Sequence, residues 1–101
     1  MFELDGTLYE VKYNMRTLEA IERAMGEGIM AVMMKSEGAL SISQLRQLFT
    51  QALYKDDGGK VSPVQGNGIF EQILERDGLA SVMNTVLERI MDDCAFLFRG
   101  A

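Results

Sequence analysis

The sequence predicts an α+β domain that is mostly α: a small N-terminal β-hairpin followed by a bundle of four to five helices. Three observations predict it. Asp5-Gly6 joins two short runs of alternating character, Ser41-Ile42-Ser43-Gln44 forms a helix-opening capping box, and apolar residues recur at helical spacing from Leu79 to Leu97. At 101 residues the chain has the size of one domain. Its expected parts are a hairpin over about 2–13, a helical part over about 14–98 and, within it, a flexible loop over about 55–68.

The hairpin comes first. Phe2-Glu3-Leu4 and Thr7 to Tyr13 flank Asp5-Gly6, and an Asp-Gly pair suits the positive φ values of a type I′ turn. Along the second arm Thr7, Tyr9, Val11 and Tyr13 share one face, while Leu8, Glu10 and Lys12 share the other. A lone hairpin is marginal in water, so this one must lie on helices or pair with another edge.

Asn14 is the expected N-cap of a helix from Met15 to about Met25, with Leu18, Ile21 and Met25 as its buried stripe and Gly26 and Gly28 ending it. Ile29 to Lys35 reads as a short methionine-rich helix closed by Gly38. Ser41 then caps a helix with Gln44 at N3 and a Leu40–Leu45 staple. Its inward stripe is Leu45, Leu48, Phe49, Ala52 and Leu53. From Lys55 to Gly68 the chain holds Asp56, Asp57, Gly58, Gly59, Gly66, Gly68 and the only proline, the composition of a loop. Ser62-Pro63 could open a helix, but Gly66-Asn67-Gly68 places the expected start near Ile69, with Gly78 as its end. Leu79 to Leu97 is the longest expected helix. It carries Val82, Met83, Val86, Ile90 and Cys94 along one side, and Phe96-Leu97-Phe98 follows as an apolar tail.

Composition excludes several function classes. There is no histidine and one cysteine, which removes intrachain disulfides, Cys/His zinc sites and histidine-based acid–base catalysis. The net charge is −5, and both halves are net acidic, so phosphate backbones find no basic patch. No apolar run reaches the roughly 20 residues that span a bilayer, and the N-terminus lacks the pattern of a secretory signal. Leu4-Asp5-Gly6-Thr7-Leu8 resembles part of a phosphatase motif, Asp-x-Asp-Gly-Thr-Leu, yet Glu3 stands where the nucleophilic aspartate belongs. Gly58-Gly59-Lys60 lacks the first glycine and the hydroxyl of a phosphate loop, and Asp56-Asp57 lacks the bidentate glutamate of a calcium loop. Asp92-Asp93 reads as a solvated face and Cys94 as a buried thiol. The expectation is a cytosolic binding or assembly protein, not an enzyme, with no cofactor, metal, nucleic acid or membrane partner.

Eight methionines stand out, with Met30, Met33 and Met34 inside five residues. Methionine adapts to irregular surfaces and is over-used where partners bind. The cluster either fills the core between short helices or forms a partner groove. Met30, Met33, Met34, Phe96 and Phe98 are the candidate partner-binding residues.

The order of these signals, from Phe2-Glu3-Leu4-Asp5-Gly6 and Tyr9 to Asn14 through Met15 to Glu22, Leu40 to Tyr54 and the ending Asp92 to Phe98, resembles the tail assembly chaperones of long-tailed phages and prophages. These small proteins are encoded beside the tape-measure gene. The likeness covers most of the chain and is one of pattern; the methionine-rich stretch and the glycine-rich loop have no counterpart in it. It implies binding and solubilising of the tail tape-measure protein, a later encounter with the tail tube protein, residence in the host cytoplasm and absence from the mature virion. Homo-oligomerisation is expected on other grounds: the hairpin exposes an edge, the core is small and the apolar stripe of the last helix is wide for a monomer of this size. In that family a frameshifted longer form often accompanies a short one, and a chain ending at Gly100-Ala101 would be the short form. The alternatives are a structural tail or head–tail adaptor and a generic helical protein-interaction module.

Overall fold

The computed structural model describes residues 1–36 and 39–99. Strand β1 (Phe2–Leu4) and strand β2 (Thr7–Val11) form the expected hairpin, with Leu4 opposite Thr7 across the two-residue turn. Asp5 and Gly6 take φ values of 51° and 83°, the left-handed pair that a type I′ turn needs. The Glu3 carboxylate accepts the Gly6 N–H at 2.9 Å, so the residue at the phosphatase-like nucleophile position closes the turn.

Helix α1 (Met15–Met25) starts as the sequence predicts: Asn14 Oδ1 accepts the Thr17 N–H, and Gly26 at φ 73° ends it. Helix α2 (Ile29–Ser36) follows after a three-residue break. Gly38, expected to close α2, lies outside the described residues. Helix α3 (Ile42–Thr50) carries the complete capping box. Ser41 Oγ accepts the Gln44 N–H at 3.1 Å, and the Gln44 side chain accepts the Ser41 N–H at 2.9 Å. Leu40 and Leu45 are both buried, as a staple requires. Ser41→Ala is expected to destabilise the protein by about 0.5–2 kcal/mol through the orphaned N–H groups; the shift of the urea midpoint at constant slope measures it.

The structure departs from the sequence reading at three places. First, α3 ends at Thr50, and Leu53–Lys55 form a third strand, β3, antiparallel to β2 with Val11 opposite Leu53. The sheet order is β1-β2-β3. Ala52 and Leu53 are buried as expected, but from an extended chain. Positions 52 and 53 fit the helical stripe, and only the pairing with β2 decides between helix and strand. The following residues return along β3: Gly58 N–H donates to Lys55 O, Lys55 N–H to Gly59 O and Val61 N–H to Leu53 O.

Second, helix α4 begins at Pro63, not near Ile69, and runs to Asp77. Much of the segment 55–68 expected to be a loop is therefore strand end and helix. Ser62 Oγ accepts the Gln65 N–H, and Pro63 occupies the first helical position. Gly66 is buried because α4 crosses α3 there. A Cβ on Gly66 would lie 3.4 Å from Thr50 Cβ.

Third, helix α5 (Leu79–Asp93) stops four residues before the expected end at Leu97. Cys94 turns out of the helix at φ −125°, ψ 48°, and Ala95–Phe98 continue as a 3₁₀ turn. Helices α4 and α5 each have 15 residues, so α5 is not uniquely the longest. Gly78, at φ 88°, separates them.

The helices cover one face of the sheet. Phe2, Val11 and Leu53 point into the core, while Leu8, Glu10, Lys12 and Tyr54 occupy the outer face. Three rings tie the layers together: Phe2 and Phe49 meet edge-on at 5.1 Å between centroids, and Phe49 and Phe70 at 5.3 Å. Both sheet edges are attended. The Arg76 guanidinium donates to the Glu3 carbonyl on the outer side of β1, and residues 59–61 line the outer side of β3.

Candidate protein-binding surface

Helix α2 is apolar on every side from Ile29 to Met34. Such a segment is at home inside a protein, yet from Ile29 to Met34 only part of it is enclosed. Ile29 and Val32 are buried in the core and Met33 packs against it half-buried, while Met30 is 37% and Met34 74% exposed. Met30 and Met34 are one helical turn apart and form a single outward face. The structure thus divides the methionine cluster: Met33 belongs to the core side, and Met30 and Met34 to the surface.

The attachment of α2 is local. Glu22 Oε2 accepts the Ile29 N–H at 2.8 Å, capping α2 with a side chain from α1. A cleft of about 210 Å³ lies at the end of α1, between Ala24, Met25 and Glu27 on one side and Ser43, Gln44 and Gln47 of α3 on the other. It opens where the chain turns into α2.

The C-terminal pair is placed separately, by the break after α5. Asp93 holds this corner: its carboxylate accepts the Tyr13 N–H at 3.0 Å and the Arg89 Nε–H at 2.9 Å. Tyr13 Oη in turn donates to the Leu48 carbonyl in the last turn of α3 at 2.7 Å. In the 3₁₀ turn Leu97 packs on the core, and Phe96 and Phe98 are 41% and 40% exposed on either side of it. The Cys94 thiol is buried, and burial with the adjacent Asp93 charge raises its pKa, so it stays protonated and inert.

Burial, and then the Asp93 charge, push the Tyr13 phenol well above its ordinary value of 10.0. The folded protein therefore keeps a proton that the unfolded chain gives up. This contribution to stability is complete below the ordinary tyrosine value and is lost as pH rises past it. Tyr13→Phe is expected to make the alkaline fall in stability shallower and to cost about 1 kcal/mol at neutral pH, since the Leu48 carbonyl loses its donor. Urea midpoints of both proteins between neutral and strongly alkaline pH check this.

The tempting motifs take structural positions. Asp5 is a turn residue, Lys60 Nζ donates to the Gln51 carbonyl and sits 5.2 Å from the Tyr54 ring centroid, and Asp57 accepts the Gly59 N–H. Among the described residues no group of three or more Cys, Asp or Glu side chains could hold a metal ion, and no helix is long and apolar enough to cross a membrane. Strand β3 and the cleft it forms with α4 have no counterpart among the sequence expectations. Alternation over Leu53-Tyr54-Lys55 was the available signal for β3, and it is only three residues long. No family model, curated protein or solved structure matches the chain.

Proposed function

We propose that this protein is an assembly chaperone of the phage tail type, which keeps the long helical tape-measure protein in solution by covering its apolar stripes. One observation carries the reading: the apolar run Ile29 to Met34 of α2 presents Met30 and Met34 to solvent. An amphipathic client helix laid along α2 would bury these flexible thioethers, and their adaptability suits a client whose apolar stripe varies along its length. The family resemblance, drawn from the order of sequence signals, supports the same reading.

The test is co-expression with the tape-measure protein encoded beside it. A soluble client, and a complex that co-elutes on size exclusion, are expected. A client equally soluble without this chain, with no complex, rejects the reading. Mass spectrometry of purified particles separates a chaperone, absent from the virion, from a structural adaptor that remains in it.

A further inference from the structure

Gly68 has no role in the fold that accounts for it. Of the described glycines, Gly6, Gly26, Gly58 and Gly78 have positive φ, and a Cβ on Gly28, Gly59 or Gly66 would meet a neighbour within 4 Å. Gly68 alone has neither property: its φ is not positive, and a Cβ there would meet nothing within 4 Å. It lies within α4, where glycine costs about 1 kcal/mol relative to alanine. The space beside it is a cleft of about 330 Å³ between α4 and the edge of the sheet.

The chemistry of this cleft is one-sided. Val61 forms an apolar floor. The lining also includes Tyr9, Lys55, Gln65 and Gln72, whose side chains can donate hydrogen bonds; one N–H of the Gln72 amide already goes to the Gly68 carbonyl at 3.4 Å and leaves a second. Lys55 is the only ionised residue of the lining. It forms no ion pair among the described residues, whereas Lys12 is paired with Glu10 and Lys60 bonds the Gln51 carbonyl. The nearby Asp57 carboxylate is turned to the Gly59 N–H. A protein of net charge −5 thus keeps a cleft lined with one cation and no anion.

We propose that this cleft is a docking site for an acidic segment of a partner protein. A carboxylate of the segment is received by Lys55 with Gln65 and Gln72, and its backbone passes over the bare Cα of Gly68. The missing side chain is what lets a chain approach α4 closely, and charge complementarity selects the occupant. This surface is distinct from the α2 face and does not rest on the tape-measure reading.

The experiment is an amide-resolved NMR titration of the full chain with a blocked tetrapeptide of alternating leucine and glutamate, with its glutamine analogue as control. Shifts are expected at Tyr9, Lys55 and residues 65–72, with a dissociation constant on the order of millimolar. The glutamine analogue and the Lys55→Gln variant should each bind about tenfold more weakly. Gly68→Leu should raise the thermal midpoint, because a Cβ there meets nothing within 4 Å and leucine improves the helix, and should abolish the shifts because its outer carbons enter the cleft. Equal response to the two peptides, shifts elsewhere on the surface, or undiminished binding by Gly68→Leu overturns the proposal. So does inorganic phosphate occupying the cleft more tightly than the peptide. If Gly68→Leu does not fold, the Lys55→Gln comparison decides alone.

Discussion

Phe49→Ala is expected to remove a large part of the stability of this protein. Phe49 is fully buried, stands between Phe2 of β1 and Phe70 of α4, and belongs to α3. Truncating it leaves a cavity where sheet and helices meet and breaks both ring contacts at once. Large-to-small changes at such sites cost about 3–5 kcal/mol, and a domain of this size has roughly 5–15 kcal/mol in total. The variant should show a greatly lowered thermal midpoint, or no cooperative transition at all. A loss below about 1 kcal/mol would mean that the three-ring stack is not the centre of the core.

Two charges placed on the same helix are expected to do opposite things. Met34→Glu puts a carboxylate on a largely exposed position, so the far-UV circular dichroism and the midpoint should stay within about 0.5 kcal/mol of the parent. Its effect should fall on the client, whose soluble fraction in co-expression should drop sharply, since a charge cannot lie against an apolar stripe. Val32→Glu, only two residues away, buries an unpaired charge and should unfold the domain. A folded Met34→Glu that keeps the client fully soluble would remove the α2 face from consideration as the docking surface.

What could be read from the sequence follows from the range of the forces involved. The Asp5-Gly6 turn, the Asn14 cap and the Ser41 capping box are set by side chains within three residues of the backbone groups they serve, and each appears where the sequence predicts it. Elements decided by distant partners were not legible. Leu53 becomes a strand because β2 offers it hydrogen bonds from more than forty positions away. Gly66 lies inside a helix packed on Thr50 of α3, where a Cβ would come into ordinary contact, and that packing partner is remote in sequence. Cys94 ends α5 where Asp93, two turns of chain from any local stop signal, is engaged by Tyr13 from the other end of the sequence. For the candidate surface, residue type pointed to the methionines, but helical spacing within so short an apolar run could not say which of the three faces outward.

The place of β3 in the sheet also bears on how the chain reaches this state. The β1–β2 turn closes over two residues, but Val11 finds Leu53 only after α1, α2 and α3 have been made. A hairpin alone is marginal, and the β2–β3 pairing requires closure of a long intervening loop whose entropic cost precedes its reward. During synthesis the β2 edge therefore has no β3 partner until residue 55 has left the ribosome. Completion of the three-stranded sheet requires residues from both halves of the chain, so the first half depends on the second for its own hydrogen bonds.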